Sequence, residues 1–440
     1  MMPNPASDPT RRRPFRATRE RPASSPPVVR LNAAARAFWA VLRYAALNEV
    51  TLLERLPKPS HVPVLYVASH RNGMVDALPY LAAVPKALPL IAAQWHKHAL
   101  ARWLFPGIAV FRTKERAGGI AGDNDAALES AASALTRREL VLVFPEGTSA
   151  LGPKHLPFHK GAARILAQAL KHCSEVMVVP LAVFYEEAWA WQSRVEVVVG
   201  SATVVKAEAP TAPADALQNH GQRVADLHAK VSAMLESCLV EFDNGQEQED
   251  VEALAYAATL GRNISYAAAL RVLARVVSPE LRAQWQTLRA AVLERGGLLH
   301  QGVPLLPVGG AWLYRLAWLL FAPIVGAAAL ANFPVVLAGR YGAHHFPDER
   351  NVVALWRLLL GVPAALIWAP LVAAGLVWLA PWWSAPLYVG ISVLGLRLWH
   401  RFRKLSVAAW NSFVCAPLKD RLLALHGRLG SLVTQWQADA

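Results

Sequence analysis

Residues 64–78 read VLYVASHRNGMVDAL: a β-branched apolar run that breaks off into a histidine, a glycine and an aspartate. Such a run, bounded by turn-forming residues, predicts a buried strand over 62–68. Working outward, similar short runs recur at 88–93, 107–111, 140–144, 176–183 and 195–199, with helical spacing between them at 124–138 and 160–172. This alternation predicts an α/β domain with a mostly parallel or mixed sheet flanked by helices. In open sheets of that kind, ligand sites sit at the carboxyl ends of the strands.

Four of these strand ends carry residues suited to chemistry. Ser69-His70-Arg71-Asn72-Gly73-Met74-Val75-Asp76 follows the first, and Arg112 follows GIAVF at 107–111. FPEGTS occupies 144–149, and Val178-Val179-Pro180-Leu181 lies on a later strand. A histidine at a strand end can draw the proton from an alcohol and make its oxygen nucleophilic towards a carbonyl. Asp76 could hold the other ring nitrogen, fixing the tautomer, and Gly73 would give the turn a tight path. Glu146, Gly147, Thr148 and Ser149 offer a carboxylate, a flexible turn and two hydroxyls, and Arg112 offers a forked cation for phosphate oxygens. Taken singly, each has a plainer reading: the His–Asp pair as a structural contact, Arg112 as a surface charge, Glu146 as a helix-cap partner.

In order and separation, the four segments resemble the four blocks of the glycerolipid acyltransferases, the family of bacterial lysophosphatidate and glycerol-3-phosphate acyltransferases. The resemblance implies His70 as base, Asp76 as its orienting partner, and Arg112, Glu146, Gly147, Thr148 and Ser149 around a glycerol phosphate. It places Pro180 near the acyl donor and matches Lys160-Gly161 to a stretch that often follows the third block. The commonest family pattern has the aspartate five residues after the histidine, whereas here the separation is six, with Asn72 and Gly73 in the interval. The second block also lacks the usual residues between Phe111 and Arg112. Both features resemble a subgroup that includes fungal glycerol-3-phosphate and dihydroxyacetone-phosphate acyltransferases. The implied activity is transfer of a fatty acyl group from acyl-CoA or acyl carrier protein to glycerol 3-phosphate or 1-acylglycerol 3-phosphate, with no further cofactor and no metal. Alternatives are another lysophospholipid or lipid acceptor, or an inactive lipid-binding membrane protein on the same fold.

Composition adds a lipid setting. Of 440 residues, 54% are apolar and 17% charged, against about 25% charged in typical soluble domains. The net charge of +14 suits anionic headgroups or phosphorylated substrates, and 16 Trp favour a membrane interface. No nucleic-acid-binding signature accompanies the arginines. Residues 316–339 and 358–396 carry no charge, and about 20 apolar residues span a bilayer. Membrane-embedded segments are expected at 316–339, 358–380 and 382–396, within 312–400. Three full crossings would put Arg397, Arg401, Arg403 and Lys404 opposite the catalytic domain, against the positive-inside tendency, so 316–339 is read as re-entrant or in-plane. That places the catalytic domain on the cytoplasmic face.

The remaining divisions are a disordered basic arm over 1–30, an amphipathic helix over 31–55, the acyltransferase domain over 56–210, a helical extension over 211–305, and a basic helix or tail over 401–440. The 31–55 helix suits either the membrane interface or a cover for the following domain. The acidic EQED at 247–250 reads as a solvated turn. Cys173, Cys238 and Cys415 lack disulfide or zinc spacing. His96 and His98 diverge around Lys97, and His344 and His345 read as loop or interfacial residues.

Overall fold

The computed structural model of the chain describes residues 28–30, 32–57, 61–96, 99–110, 124–208 and 216–439. Among these residues, nine strands form one sheet: β1 (Val28–Val29), β2 (Leu47–Leu53), β3 (Val64–Ala68), β4 (Leu88–Ala92), β5 (Gly107–Val110), β6 (Val141–Val143), β7 (Glu175–Tyr185), β8 (Ser193–Val199) and β9 (Thr203–Lys206). Their order is β1-β5-β4-β6-β3-β7-β8-β2, with β9 beside β7. The central pairings of β5, β4, β6, β3 and β7 are parallel, as is β2 with β8, while β1, β8 and β9 run antiparallel to their neighbours β5 and β7.

The apolar runs of β3 and β6 have the continuous character of strands covered on both faces. Every residue of VLYVA is buried. Alternate side chains of β3 feed two separate cores, as a period of two requires. Leu65 and Val67 join the helices Asn124–Thr136, Gly161–Ala169 and Ala216–Glu236. Val64, Tyr66 and Ala68 join Ala33–Ala46 and Ala77–Ala83. The register Val67↔Val143 sets His70 and Glu146 at one level, each three residues beyond that pair.

Two readings are corrected. The expected helix over 31–55 ends at Ala46, and LNEVTLL continues as β2 against β8; its β-branched, alternating residues gain a partner strand that local helical spacing does not reveal. The EQED stretch is the opening of the helix Gly245–Thr259, not a turn. Asn244 Oδ1 accepts from Glu247 N while Glu247 Oε2 accepts from Asp243 N, a reciprocal cap. Acidic residues there also meet the positive end of the helix dipole. The basic helix or tail expected over 401–440 is helical: Ser384–Val414 runs on through its start, and Lys419–Asp439 buries Leu422, Leu425, Leu429 and Val433 in the core of the helical extension. Of the predicted basic arm, 1–27 lies outside the described residues, and its end forms β1.

Among the described residues, two helices are long and apolar enough to cross a membrane, Ala311–Ala331 and Arg350–Leu379. Ala311–Ala331 runs antiparallel to Ser384–Val414: Arg315 bonds Ser412, Trp318 bonds Ser406, and Ala328 lies against Gly395. The chain then breaks at Asn332, whose amide reaches Ser392 Oγ at 2.8 Å and accepts from Tyr388 Oη at 2.8 Å. Phe333–His345 returns along Val353–Leu379, with Gly342 against Trp356 and Gly339 beside Arg357. The lower ends grip the α/β domain through arginines on backbone carbonyls. Arg397 donates to Leu47 O and Asn48 O, Arg357 to Trp189 O, and Arg403 pairs with Glu187. At the far end Trp378 and Trp382 are 91% and 82% exposed.

Candidate active site

The site forms where β3 and β6 release the chain side by side. After Ala68, Ser69 stays buried: its Oγ accepts from Val183 N on β7 and shares a hydrogen bond with Tyr80 Oη. His70 then emerges, its ring stacked on Phe144 with centroids 4.7 Å apart. Gly73 takes a positive φ of 55°, which the single turn Gly73–Asp76 requires. That turn absorbs the longer His-to-Asp spacing and aims Asp76 back at the imidazole.

Asp76 is fully buried. Its Oδ2 lies 2.9 Å from His70 Nδ1 and accepts from Arg71 N at 2.7 Å and Asn72 N at 2.9 Å. Its Oδ1 accepts from Tyr185 Oη at 2.7 Å. As a carboxylate it can only accept, so Nδ1 carries the hydrogen and Nε2 is left as the basic nitrogen. No described residue hydrogen-bonds Nε2, and the His70 side chain is 17% exposed. Burial and the Asp76 charge hold the Tyr185 phenol well above its ordinary range, which keeps it a donor. Tyr80 is raised in the same way.

Glu146 is also buried and engages the protein. Oε1 accepts from His70 N at 2.7 Å, with His155 Nδ1 at 3.6 Å, and Oε2 accepts from Leu156 N at 3.3 Å. Its carboxylate thus shapes the loop that carries His70 and is not turned to solvent. Gly147 (φ 68°) and Thr148 are exposed, and Ser149 is half-buried. Ala150 N donates to His70 O at 3.3 Å, which ties this loop alongside the histidine. Arg71 folds inward to donate to Gly152 O, and burial lowers its guanidinium pKa.

The other predicted residues fall elsewhere. Pro180 is buried within β7, between the part that pairs with β9 and the part that pairs with β8. A proline fits there because the ladder changes partners. Its ring lies beside Gly200. Lys160 is exposed at the N-cap of Gly161–Ala169; its neighbour His159 lies against Gly147. Arg112 and His98 lie outside the described residues. His96 ties Phe105 O at 2.9 Å, and His345 caps its own helix at Tyr341 O.

Two participants carry no signal in the sequence near the motifs. Tyr185 lies 109 residues from Asp76, and Asn351 lies 202 residues from Ser149, to which its amide donates. Tyr185 is at least the last residue of β7, the strand beside β3, so a polar-tipped aromatic at that end is the cue that could have found it.

Residues 48–184 match the family described as Acyltransferase. No curated protein matches the chain. Among solved structures, the 1-acyl-sn-glycerophosphate (LPA) acyltransferase PlsC from Thermotoga maritima is similar at 16% identity over 46% of this chain and 79% of that one. The TM-score is 0.30, too slight a likeness to bear on the site. The stretch that matches the acyltransferase family holds the His70–Asp76 pair, the Glu146 clamp and the strands β3 to β6 that position them.

Proposed function

We propose that the chain is a membrane-bound glycerolipid O-acyltransferase that acylates glycerol 3-phosphate or 1-acylglycerol 3-phosphate from acyl-CoA or acyl carrier protein. The observation that carries this reading is the 2.9 Å contact between His70 Nδ1 and a buried, four-donor carboxylate, with Nε2 unengaged by described residues. Nε2 takes the proton of the acceptor hydroxyl as its oxygen attacks the thioester carbonyl. Collapse of the tetrahedral adduct breaks the C–S bond, and the imidazolium returns the proton to the departing thiolate. Asp76 stabilises the transient cation and holds the tautomer throughout. Gly147, Thr148 and Ser149, beside His70, are suited to the acceptor's polar end, with Arg112 as a phosphate partner. In this reading Glu146 acts through the loop, and Lys160 is a nearby surface cation.

We further infer that the C-terminal helices lie in lipid and leave the catalytic domain on the cytoplasmic side. Supporting this, the uncharged span 358–396 is flanked by Arg357 and Arg397, which donate to backbone carbonyls of the α/β domain, and Trp378, Trp382 and Trp383 are exposed at the opposite tip. Asn332 turns level with Ser392, only about 7.5 Å of helical rise beyond Arg397. A hydrocarbon core is about 30 Å thick. The segment 311–345 therefore dips in and returns, despite its apolar composition.

The test is to supply membranes containing the protein with labelled glycerol 3-phosphate or lysophosphatidate plus acyl-CoA, and to resolve the lipid products. One acceptor is acylated by the native chain and neither by His70→Ala at unchanged folding. Full turnover by His70→Ala removes the proposed base.

A further inference from the structure

The root of the long apolar helix reaches the active site. Asn351 lies in the turn Arg350–Val352 that opens Val353–Leu379, and it is 4% exposed. Its Nδ2 donates to Ser149 O at 2.8 Å and to Ser149 Oγ at 3.2 Å. Its backbone oxygen would lie 3.5 Å from a Cβ placed on Gly73. One turn of chain thus touches both loops of the site, the one that bends between His70 and Asp76 and the one that follows Glu146.

The turn is held from several sides. Arg350 pairs with Glu249 at 3.4 Å and sits over the Trp189 ring, while Arg357 donates to Trp189 O. Ala354 and Leu358 are buried in the same core as Val75, Leu78 and Tyr80. Asn351 itself is a poor choice for stability. Its Oδ1 is buried with no hydrogen-bond partner among the described residues, and an unmatched buried acceptor is destabilising where an apolar side chain of similar shape is not. Packing alone does not explain an amide at this position; its two bonds to Ser149 do.

We propose that Asn351 is a positioning residue. By holding Ser149 it fixes the 146–149 loop beside His70, so the acceptor pocket is complete only when the root of the apolar helix is docked. The inference rests on the reading of Gly147–Ser149 as the acceptor side. It links seating of the C-terminal helices to acceptor binding, not to thioester chemistry.

The experiment uses the full chain reconstituted in phosphatidylglycerol-containing vesicles, with kcat and the KM for each substrate measured for Asn351→Leu and Asn351→Ala beside His70→Ala. Thermal unfolding of each variant is recorded. Loss of the two bonds is expected to raise the acceptor KM about tenfold to a hundredfold, with the acyl-CoA KM unchanged and with Asn351→Leu at least as heat-stable as the native chain. Native constants in a folded Asn351→Leu overturn the proposal, as does an equal rise in both KM values. Failure of both variants to fold also overturns it, since the residue is then structural. His70→Ala keeps the two readings apart: an active His70→Ala sinks the proposed function, whereas an inactive one beside a native-like Asn351→Leu sinks only this inference.

Discussion

Asp76→Asn separates the two tasks of the carboxylate. The arrangement dictates which way the amide must point. Oδ2 receives Arg71 N, Asn72 N and His70 Nδ1 within 2.9 Å, so an NH2 group there would face three donors. The amide oxygen therefore takes the Oδ2 place, and the NH2 group meets the Tyr185 hydroxyl, which can turn and accept. Nδ1 keeps its hydrogen and Nε2 stays basic. What is lost is the negative charge opposite the imidazolium formed during transfer. A hydrogen bond to a charged group is worth about 1.5–3 kcal/mol, and a charge pair at about 4 Å with an effective dielectric of 20 is worth about 4 kcal/mol. A loss of about 2–4 kcal/mol in the transition state lowers kcat roughly 30- to 1,000-fold, while the acceptor KM holds. The assay is steady-state acyl transfer with both substrates varied, beside thermal unfolding. Where an amide turns its NH2 to the imidazole and selects the wrong tautomer, the loss is on the order of 10⁴. A fall of that size, matching His70→Ala, would refute the argument that Arg71 and Asn72 dictate the flip. Native kcat would refute any part for the charge.

Two further outcomes follow from features outside the site. With Phe333–His345 folding back towards the α/β domain, His345→Cys in sealed vesicles is expected to react with a membrane-impermeant maleimide from the side that carries the catalytic domain; labelling from the opposite side alone would mean that 311–345 crosses. Burial and neighbouring cations hold His300 at about 2 and His426 at about 4, below the usual 6.5, so the unfolded chain takes up protons first and folded stability falls as pH drops below about 6.5. Each contributes a loss of about 2 kcal/mol between pH 7 and pH 5. His426→Leu should flatten the decline of the unfolding midpoint across that range, and an unchanged slope would show that His426 is not its source.

Much of the α/β core is legible in the sequence because its information is local. Fully apolar runs such as VLYVA and LVLVF end abruptly in turn residues, and β3 and β6 lie where those runs lie. His70 and Asp76 are also near neighbours in the chain, so their pairing needs only one turn. LNEVTLL is different: as a strand its stability comes from β8, some 145 residues away, and the preceding helix Ala33–Ala46 disguises its start. Asn351 is silent for the same reason, since it completes the site only after the C-terminal helices have docked, and Tyr185 offers no more than its place at the end of a strand. Glu146 shows a second limit. Residue type and position single it out, but its oxygens meet backbone N–H groups only once the chain has folded.

The matched level of His70 and Glu146 has a consequence for tolerance to error. Both stand three residues beyond the paired Val67 and Val143, and the clamp between them spans 2.7 Å. Sliding one strand by a single residue would displace its loop by about 3.3 Å and invert its side chains, which ruptures the clamp and both cores together. A mispaired sheet is thus barred from reactivity by the same interlock that makes it unstable, so the chemistry switches on only in molecules whose strands have been threaded in register.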